Sequence, residues 1–440
     1  MTYKKPDSVD ASGLLRRRDV LVASVVGALA YSLPNSLATA AENTGPVRIG
    51  SLAPFSGPSS RTGENIRQAT NLAIADARAA GELPFKINGV SRDIEIIEVD
   101  DQSDPEKAVR ALRDAVSRKG VEFMINGWHS SVAMATMDVE ADLGIVHLGN
   151  LGESQFIAEK INSDVSRYSG YFKCTPAPAA LSVLYGAPLN YFREKGIWKP
   201  KNLKAAILVE DTDHGRGWGS SIIASLTAAG YEVGGLDVVP FDETEFSAII
   251  TKYKALDISL LMTSITAPVG ASNFVKQFRT QNLKALLVSH GLTWFSEWHE
   301  MTGEASDFNV SMDSPASLAP WQSEWMERFK GIYGEEPSIM ASGLPYDYTR
   351  MAIKAINLAG SLEKDKLIEA IRSMSYRGIW NTYGFATEAG KGATAPNEVI
   401  TGPFMEGFFF PMIQIMGGER KILWPLEYSE AEFRSPPWLE

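Results

Sequence analysis

VRIGSLAPFSGPSSRTGENIRQATNLAIADARAAG, residues 47–81, followed by INGVSRDIEIIEVDDQSDPEKAVRAL at 87–112, decides the fold. The apolar run Val47, Ile49, Ser51 stops at the turn-forming Pro54, Ser56, Gly57 and Pro58. From Gly63 onward, alanines and aliphatics recur at helical spacing. Asn88-Gly89 then marks a turn, and a second strand ends on Asp100-Asp101 before Pro105 can open another helix. Strand, small-residue loop, long helix and strand in that order make an α/β unit with a parallel sheet.

Outward from this unit the pattern repeats. Strands are expected at residues 47–52, 94–100, 122–126 and 145–148, then, after a crossing segment at 171–175, at 205–209, 233–239, 258–262 and 285–288. Helical stretches at 220–229 and 246–255 separate strands of the second set. A polar segment at 304–317 leads back to helices at 321–332, 346–358 and 364–374, an extended segment follows at 376–392, and a hairpin at 408–424 turns on Gly417-Gly418. The length exceeds one ordinary domain. The expected architecture is two doubly wound parallel-sheet lobes joined by a multi-crossing hinge, with residues 46–172 plus 312–400 in one lobe and 173–311 plus 401–440 in the other. Ligands of such open sheets sit beyond the carboxyl ends of the strands, so a site should form where strand-end loops of the two lobes face each other.

The order of elements, together with Pro54, Gly57, Gly63, the Asn71-Leu72-Ala73 helix, Asn88-Gly89 and Asp100-Asp101 before Pro105, resembles the extracellular receptors of the leucine/isoleucine/valine-binding type, the type I solute receptors that serve ABC importers. The resemblance runs to near the C-terminus. It implies an exported protein that binds one small molecule between two lobes without chemistry or cofactor. The implied partner is an inner-membrane ABC permease, or alternatively a sensor, and the implied state is a monomer.

Residues 1–41 read as a cleavable export signal: Arg16-Arg17-Arg18, a nearly uncharged run from Val20 to Leu33, then Ala38, Thr39, Ala40 and Ala41. Gly27 and Pro34 interrupt the apolar part, which is too short to serve as a stable anchor. Arg17-Arg18-Asp19-Val20-Leu21 looks like a twin-arginine motif, the alternative being an ordinary Sec signal. Cleavage near Ala40 or Ala41 removes five cations and three acids, taking the formal charge from −11 to −13. An acidic chain of this kind argues against nucleic acid or an anionic membrane surface as partner. The single Cys174 has no cysteine to pair with and is expected to be a buried small hydrophobe.

Several strand ends carry candidate binding groups. Gly127-Trp128-His129-Ser130-Ser131 follows an apolar strand and opens a helix, where hydroxyls and free backbone N–H groups suit an anionic or polar head; the resemblance places ligand contacts at Ser130 and Ser131, and Trp128 is the aromatic wall we favour. Ser130 as a plain helix cap is the simpler alternative. In His147-Leu148-Gly149-Asn150-Leu151-Gly152-Glu153, relatives carry a Ser, Pro, Ala and Thr mixture; here Asn150 offers an amide, while Glu153 either repels a carboxylate or is a solvated helix residue. In the second lobe, His214 stands where relatives stack a tyrosine, Ser264 lies in the Thr263–Ala267 loop, and His290 stands where amino-acid receptors place an acid against the ammonium. An imidazole there disfavours branched-chain amino acids and favours a urea, amide or organic acid.

Two other classes were weighed. His129, His147, His214 and His290 all fall at strand ends, as a metal receptor would require, yet no two share the spacing of a structural zinc site. Ser130 with His129 or His214 and Asp213 can be drawn as a hydrolase triad, but no Gly-x-Ser-x-Gly elbow surrounds Ser130. Neither a metal nor a catalytic residue is assigned from the sequence. The export reading carries its own test: replacing Arg17 and Arg18 together by lysine should strand the precursor in the cytoplasm, and unimpaired export with normal processing would eliminate the twin-arginine route.

Overall fold

In the computed structural model, which describes residues 44–292, 294, 297–312 and 317–439, the opening stretch supplies the edge strand and its neighbour in a five-stranded parallel sheet. The export signal read from residues 1–41 lies outside the described residues. Val47–Ala53 pairs along its whole length with Ile94–Asp100, from Val47 opposite Ile94 to Ala53 opposite Asp100, and with Phe123–Asn126 on its other side. His147–Asn150 and Tyr171–Lys173 continue the sheet outward. The long helix Ser60–Ala79 buries Ile66, Ala69, Leu72, Ala73 and Ala77, the face set by the alanine and aliphatic spacing. Gly63 lets that helix approach the end of the first strand: a Cβ there would stand 2.2 Å from the Pro54 carbonyl oxygen.

A second sheet has seven strands. Glu232–Val239, Lys204–Glu210, Leu260–Ser264, Leu286–His290 and Val310–Ser311 run parallel in that spatial order. The closing hairpin, Met412–Met416 with Glu419–Trp424, adds antiparallel to Val310–Ser311. Part of the segment read as a polar return is therefore a strand, and it is this strand that receives the hairpin. One apolar cluster joins Leu189, Trp218, Ile222, Ile207 and Val288 on one face of this sheet, and another joins Phe246, Tyr253, Phe274, Leu261 and Leu287 on the other. Helices thus cover both faces, as a parallel sheet requires.

The chain passes between the halves three times. After Tyr171–Lys173 it enters helix Pro178–Glu194, which packs on Asp213–Ala228. After Ser311 it returns to helices Pro320–Tyr333, Leu344–Ala359 and Lys364–Ser373, of which Leu344–Ala359 packs on Ser60–Ala79. Finally Phe408 and Phe410 belong to the first core while Met412 belongs to the second. Among the described residues no helix is long and apolar enough to cross a membrane. Cys174 is fully buried.

The first passage is fixed by a buried ion pair. Lys173 Nζ lies 3.5 Å from Glu398 Oε1, both side chains out of solvent. Lys173 also donates to the Thr175 carbonyl, and Glu398 accepts from the Ala177 backbone and from Thr394 Oγ1 at 2.7 Å. Burial alone would drive the Lys173 ammonium toward neutrality, opposed chiefly by Glu398. Lys173→Met should leave Glu398 a buried uncompensated charge and cost on the order of 3–5 kcal/mol in chemical denaturation; a loss under about 1 kcal/mol, the size of an exposed pair, would contradict this assignment.

Candidate functional site

Loops leaving the strand ends of both sheets meet in one place. Asn126 and Gly127, both at positive φ, bend the chain off its strand so that Trp128 and His129 lead directly into helix Ser130–Leu143. Glu153 follows the neighbouring strand, with Ser154 capping helix Gln155–Ser163 by accepting from the Phe156 N–H at 3.2 Å. From the second sheet come Glu210 and Thr212, the latter capping helix Asp213–Ala228, then Ser264 to Thr266, then His290 to Trp294. Ser154 Oγ donates to the Asp213 carbonyl at 2.7 Å and Ser338 Oγ to the Trp294 carbonyl at 2.8 Å, so the halves touch directly.

At the centre of the contact, His290 Nε2 lies 2.5 Å from Glu153 Oε2, with both side chains buried. His290 Nδ1 meets the Tyr185 hydroxyl at 2.8 Å. Its ring is stacked between Trp218, 5.8 Å and 18° away, and His214, 5.7 Å and 24° away. His214 Nε2 in turn meets Ser264 Oγ at 2.9 Å, and its Nδ1 stands 4.0 Å from Glu153 Oε2. Burial by itself would raise the Glu153 carboxyl; His290, and less strongly His214 and Lys173, hold it below its ordinary value. Burial takes His214 down to about 4 against the pull of Glu153, and burial takes His129 to about 4 as well. Glu153, His214 and His290 also present three ligand-type atoms within 4.8 Å of one another.

Two adjoining cavities open beside this cluster. The inner one, about 50 Å³, is lined by Ser130, Ser131, Glu153 and His214 with His129 and Glu210 among its polar walls. The outer one, about 260 Å³, lies against Arg61, Asn65, Pro268, Met301 and Ala341. Trp128, Thr266 and Trp294 belong to both, and the two indoles meet edge to face at 5.7 Å. Arg61 from the first half reaches Glu297 of the second at 3.4 Å over the outer cavity.

Of the residues singled out in the sequence, Trp128, Ser130, Ser131 and His214 stand on the inner cavity. Ser130 is also committed internally, its Oγ accepting from the Ser154 N–H at 3.2 Å. Asn150, Ser264 and His290 stand behind the wall: Asn150 Oδ1 accepts from the Gly152 N–H at 2.7 Å, Ser264 holds His214, and His290 holds Glu153. Glu153 is buried, which removes its reading as a solvated helix residue. His147 is turned inward, bonded to Glu140 at 2.8 Å and to the Asn126 carbonyl at 2.6 Å, and takes no part in the cavity. The Ser130 triad does not form, since His214 faces Ser264; that serine is fully buried and off the cavity wall, so it makes no accessible nucleophile. Sequence reasoning passed over Trp294, Thr266, Glu210 and Arg61. Thr266 lies in the Thr263–Ala267 loop already named and Trp294 four residues past His290, and only geometry separates Trp294 from Trp218 and Trp298, which are buried in the second half.

Comparison with known proteins agrees with this geometry. Residues 46–396 match the model of a family described as periplasmic binding protein. The chain is 22% identical over 377 residues to Leu/Ile/Val-binding protein homolog 8 of Brucella abortus, covering 83% of this chain and 90% of that one. Among solved structures it is similar to a solute binding protein of an ABC transporter from Rhodopseudomonas palustris in complex with 3,4-dihydroxybenzoic acid, with a TM-score of 0.68, 19% identity, and 86% and 95% of the two chains covered. It is likewise similar to a leucine binding protein from Thermotoga maritima, with a TM-score of 0.66, 16% identity and coverage of 86% and 97%. With strand-end loops of two parallel sheets closing over a shared cavity, and a family match spanning most of its length, the chain belongs to the periplasmic binding protein family and has the type I fold.

Proposed function

We propose that this chain is the periplasmic solute-binding component of an ABC importer. Exported and trimmed near Ala40 or Ala41, it holds one small polar organic solute, an amide, urea, organic acid or amino-acid-like molecule, between lobes divided at 172/173 and 311/312 and, with Phe408 and Phe410 in the first core, just before Met412 rather than at 400/401. The observation that carries the reading is the paired cavity, walled from both sheets and set at the start of helix Ser130–Leu143, where backbone N–H groups suit a negative or polar head. Trp128 and Trp294 offer apolar faces to a planar body. The 3,4-dihydroxybenzoic acid bound to the Rhodopseudomonas palustris protein supports the organic-acid end of that range. The ammonium of an α-amino acid would have to share Glu153 with His290, which already holds Oε2. Binding without turnover is the reading that the family match supports.

Calorimetric titration with benzoate, acetamide, urea and leucine separates these classes. We expect a planar carboxylate or amide to bind and Trp128→Ala to weaken it, by roughly 10-fold or more for the loss of an aromatic face worth about 1.5 kcal/mol. Tight leucine binding by the unaltered protein, or product release from an incubated ester or amide, would overturn the reading.

The polar cluster adds a pH prediction. His214 drops from an ordinary 6.5 to about 4 on folding, so between these values the unfolded chain binds the extra proton and the folded chain does not. Stability should therefore be full above pH 6.5 and fall as the pH goes to 4, by on the order of 3 kcal/mol from this residue. Glu153, shifted below its ordinary value, adds a further loss only under pH 4.5. Denaturation midpoints measured across this range should slope in the unaltered protein and less steeply in His214→Gln, where His129, also held at about 4, keeps part of the slope; an equal slope in both would contradict the assignment.

A further inference from the structure

We propose that Glu153, His214 and His290 form a binding site for one divalent transition-metal ion of the zinc, cobalt or nickel class, spanning the cleft between the two lobes. The three side chains supply two imidazoles and one carboxylate, a donor set that suits such ions better than magnesium or calcium. His290 Nε2 is 2.5 Å and His214 Nδ1 4.0 Å from the same carboxylate oxygen, Glu153 Oε2. Ligand atoms about 2.0–2.2 Å from a zinc ion lie roughly 3–3.5 Å from one another. The His290–Glu153 separation must open and the His214–Glu153 separation close by less than about 1 Å each, while the two imidazole nitrogens, at most 4.8 Å apart, close by up to about 1.5 Å.

The surroundings are those of a metal centre. A ligating histidine ordinarily has its other ring nitrogen anchored, which fixes both ring orientation and tautomer. Here His290 is anchored through Nδ1 to the Tyr185 hydroxyl, and His214 through Nε2 to Ser264 Oγ, leaving His290 Nε2 and His214 Nδ1 directed at Glu153. An independent observation points to a missing ligand. Glu153 Oε1 is buried with no hydrogen-bond partner among the described residues, a costly condition for an ionised carboxylate that a cation removes. His129 Nε2 is also buried and unpartnered, on the wall of the same 50 Å³ cavity that Glu153 and His214 line. That volume accommodates an ion with a water or the head of a solute at its open positions. Because Glu153 comes from the first sheet and the two histidines from the second, a bound ion fastens the lobes to each other.

The test is calorimetry of the full, untagged chain, stripped with EDTA and exchanged into chelator-free buffer, titrated with Zn²⁺ and separately with Co²⁺. We expect one ion per chain and, with Co²⁺, the visible absorption of a four- or five-coordinate nitrogen and oxygen site. Tyr185→Phe should weaken binding about 10–100-fold, the usual effect of removing an outer partner, and His214→Gln or Glu153→Gln by more. Lack of uptake by the unaltered protein, or equal affinity in His214→Gln and Glu153→Gln, overturns the proposal, and the Co²⁺ spectrum of the unaltered protein decides the matter even if a variant misfolds. Titrating benzoate with EDTA present keeps the two readings apart: solute binding without any metal uptake removes the metal site alone, and metal uptake without solute binding upholds it while counting against the organic-solute reading.

Discussion

A carboxylate enclosed between two halves of a protein cannot be left without a partner, and the pairing of Glu153 with His290 answers that constraint here. Removing one member of such a buried pair generally costs several kcal/mol, because the other is stranded in a poorly polarisable interior. The surrounding structure serves this contact. Trp218 and His214 sandwich the His290 ring, Tyr185 holds its far nitrogen, and Ser264 turns His214 to face the same carboxylate. Ser154, beside Glu153, reaches the Asp213 carbonyl and brings the helix that carries His214 against the first half. These contacts join the walls of the cavity, which Trp128 and Trp294 line edge to face.

The same contact alters what the cleft can select. A binding site of this fold draws its polar groups from strand ends, and here a carboxylate and two imidazoles at those ends are spent largely on one another. What stays open to a solute is the start of helix Ser130–Leu143, the Ser131 hydroxyl and two indole faces, a combination suited to a planar body with one polar head. Arg61 and Glu297, both partly exposed, close over the outer cavity as an ordinary surface pair and are worth little by themselves.

The architecture was legible in the sequence because apolar runs of strand length, stopped by Pro, Gly or Asn, alternate with helical periodicity from Val47 onward. Val310–Ser311 escaped notice since two residues carry no periodicity; only its pairing with Met412–Met416 gives it meaning. The site was legible to the level of which loops meet. Strand-end position gave Trp128, Ser130, Ser131 and His214 their places on the cavity, but it does not tell a wall from a backing layer, so Asn150, Ser264 and His290 were taken together with them. Direction depends on partners that a strand-end pattern does not show: His147 turns inward because Glu140, seven residues before it, is there to receive it, and His290 faces Glu153 from 137 residues away. The resemblance to amino-acid receptors drew attention to His290, where an acid is usual, and Glu153 was considered apart from it; only the fold shows that the two meet across the cleft.

The central claim, that Glu153 and His290 hold the lobes closed over the cavity, is open to one direct measurement. Cys174 is buried, so cysteines introduced at the exposed Arg118 and Lys254, one on each half, take spin labels selectively. The distance between the labels, read by pulsed electron resonance, should be short and narrowly distributed in the otherwise unaltered chain, and longer and broader when Glu153→Ala is added. An unchanged distance distribution in the Glu153→Ala background would contradict the account.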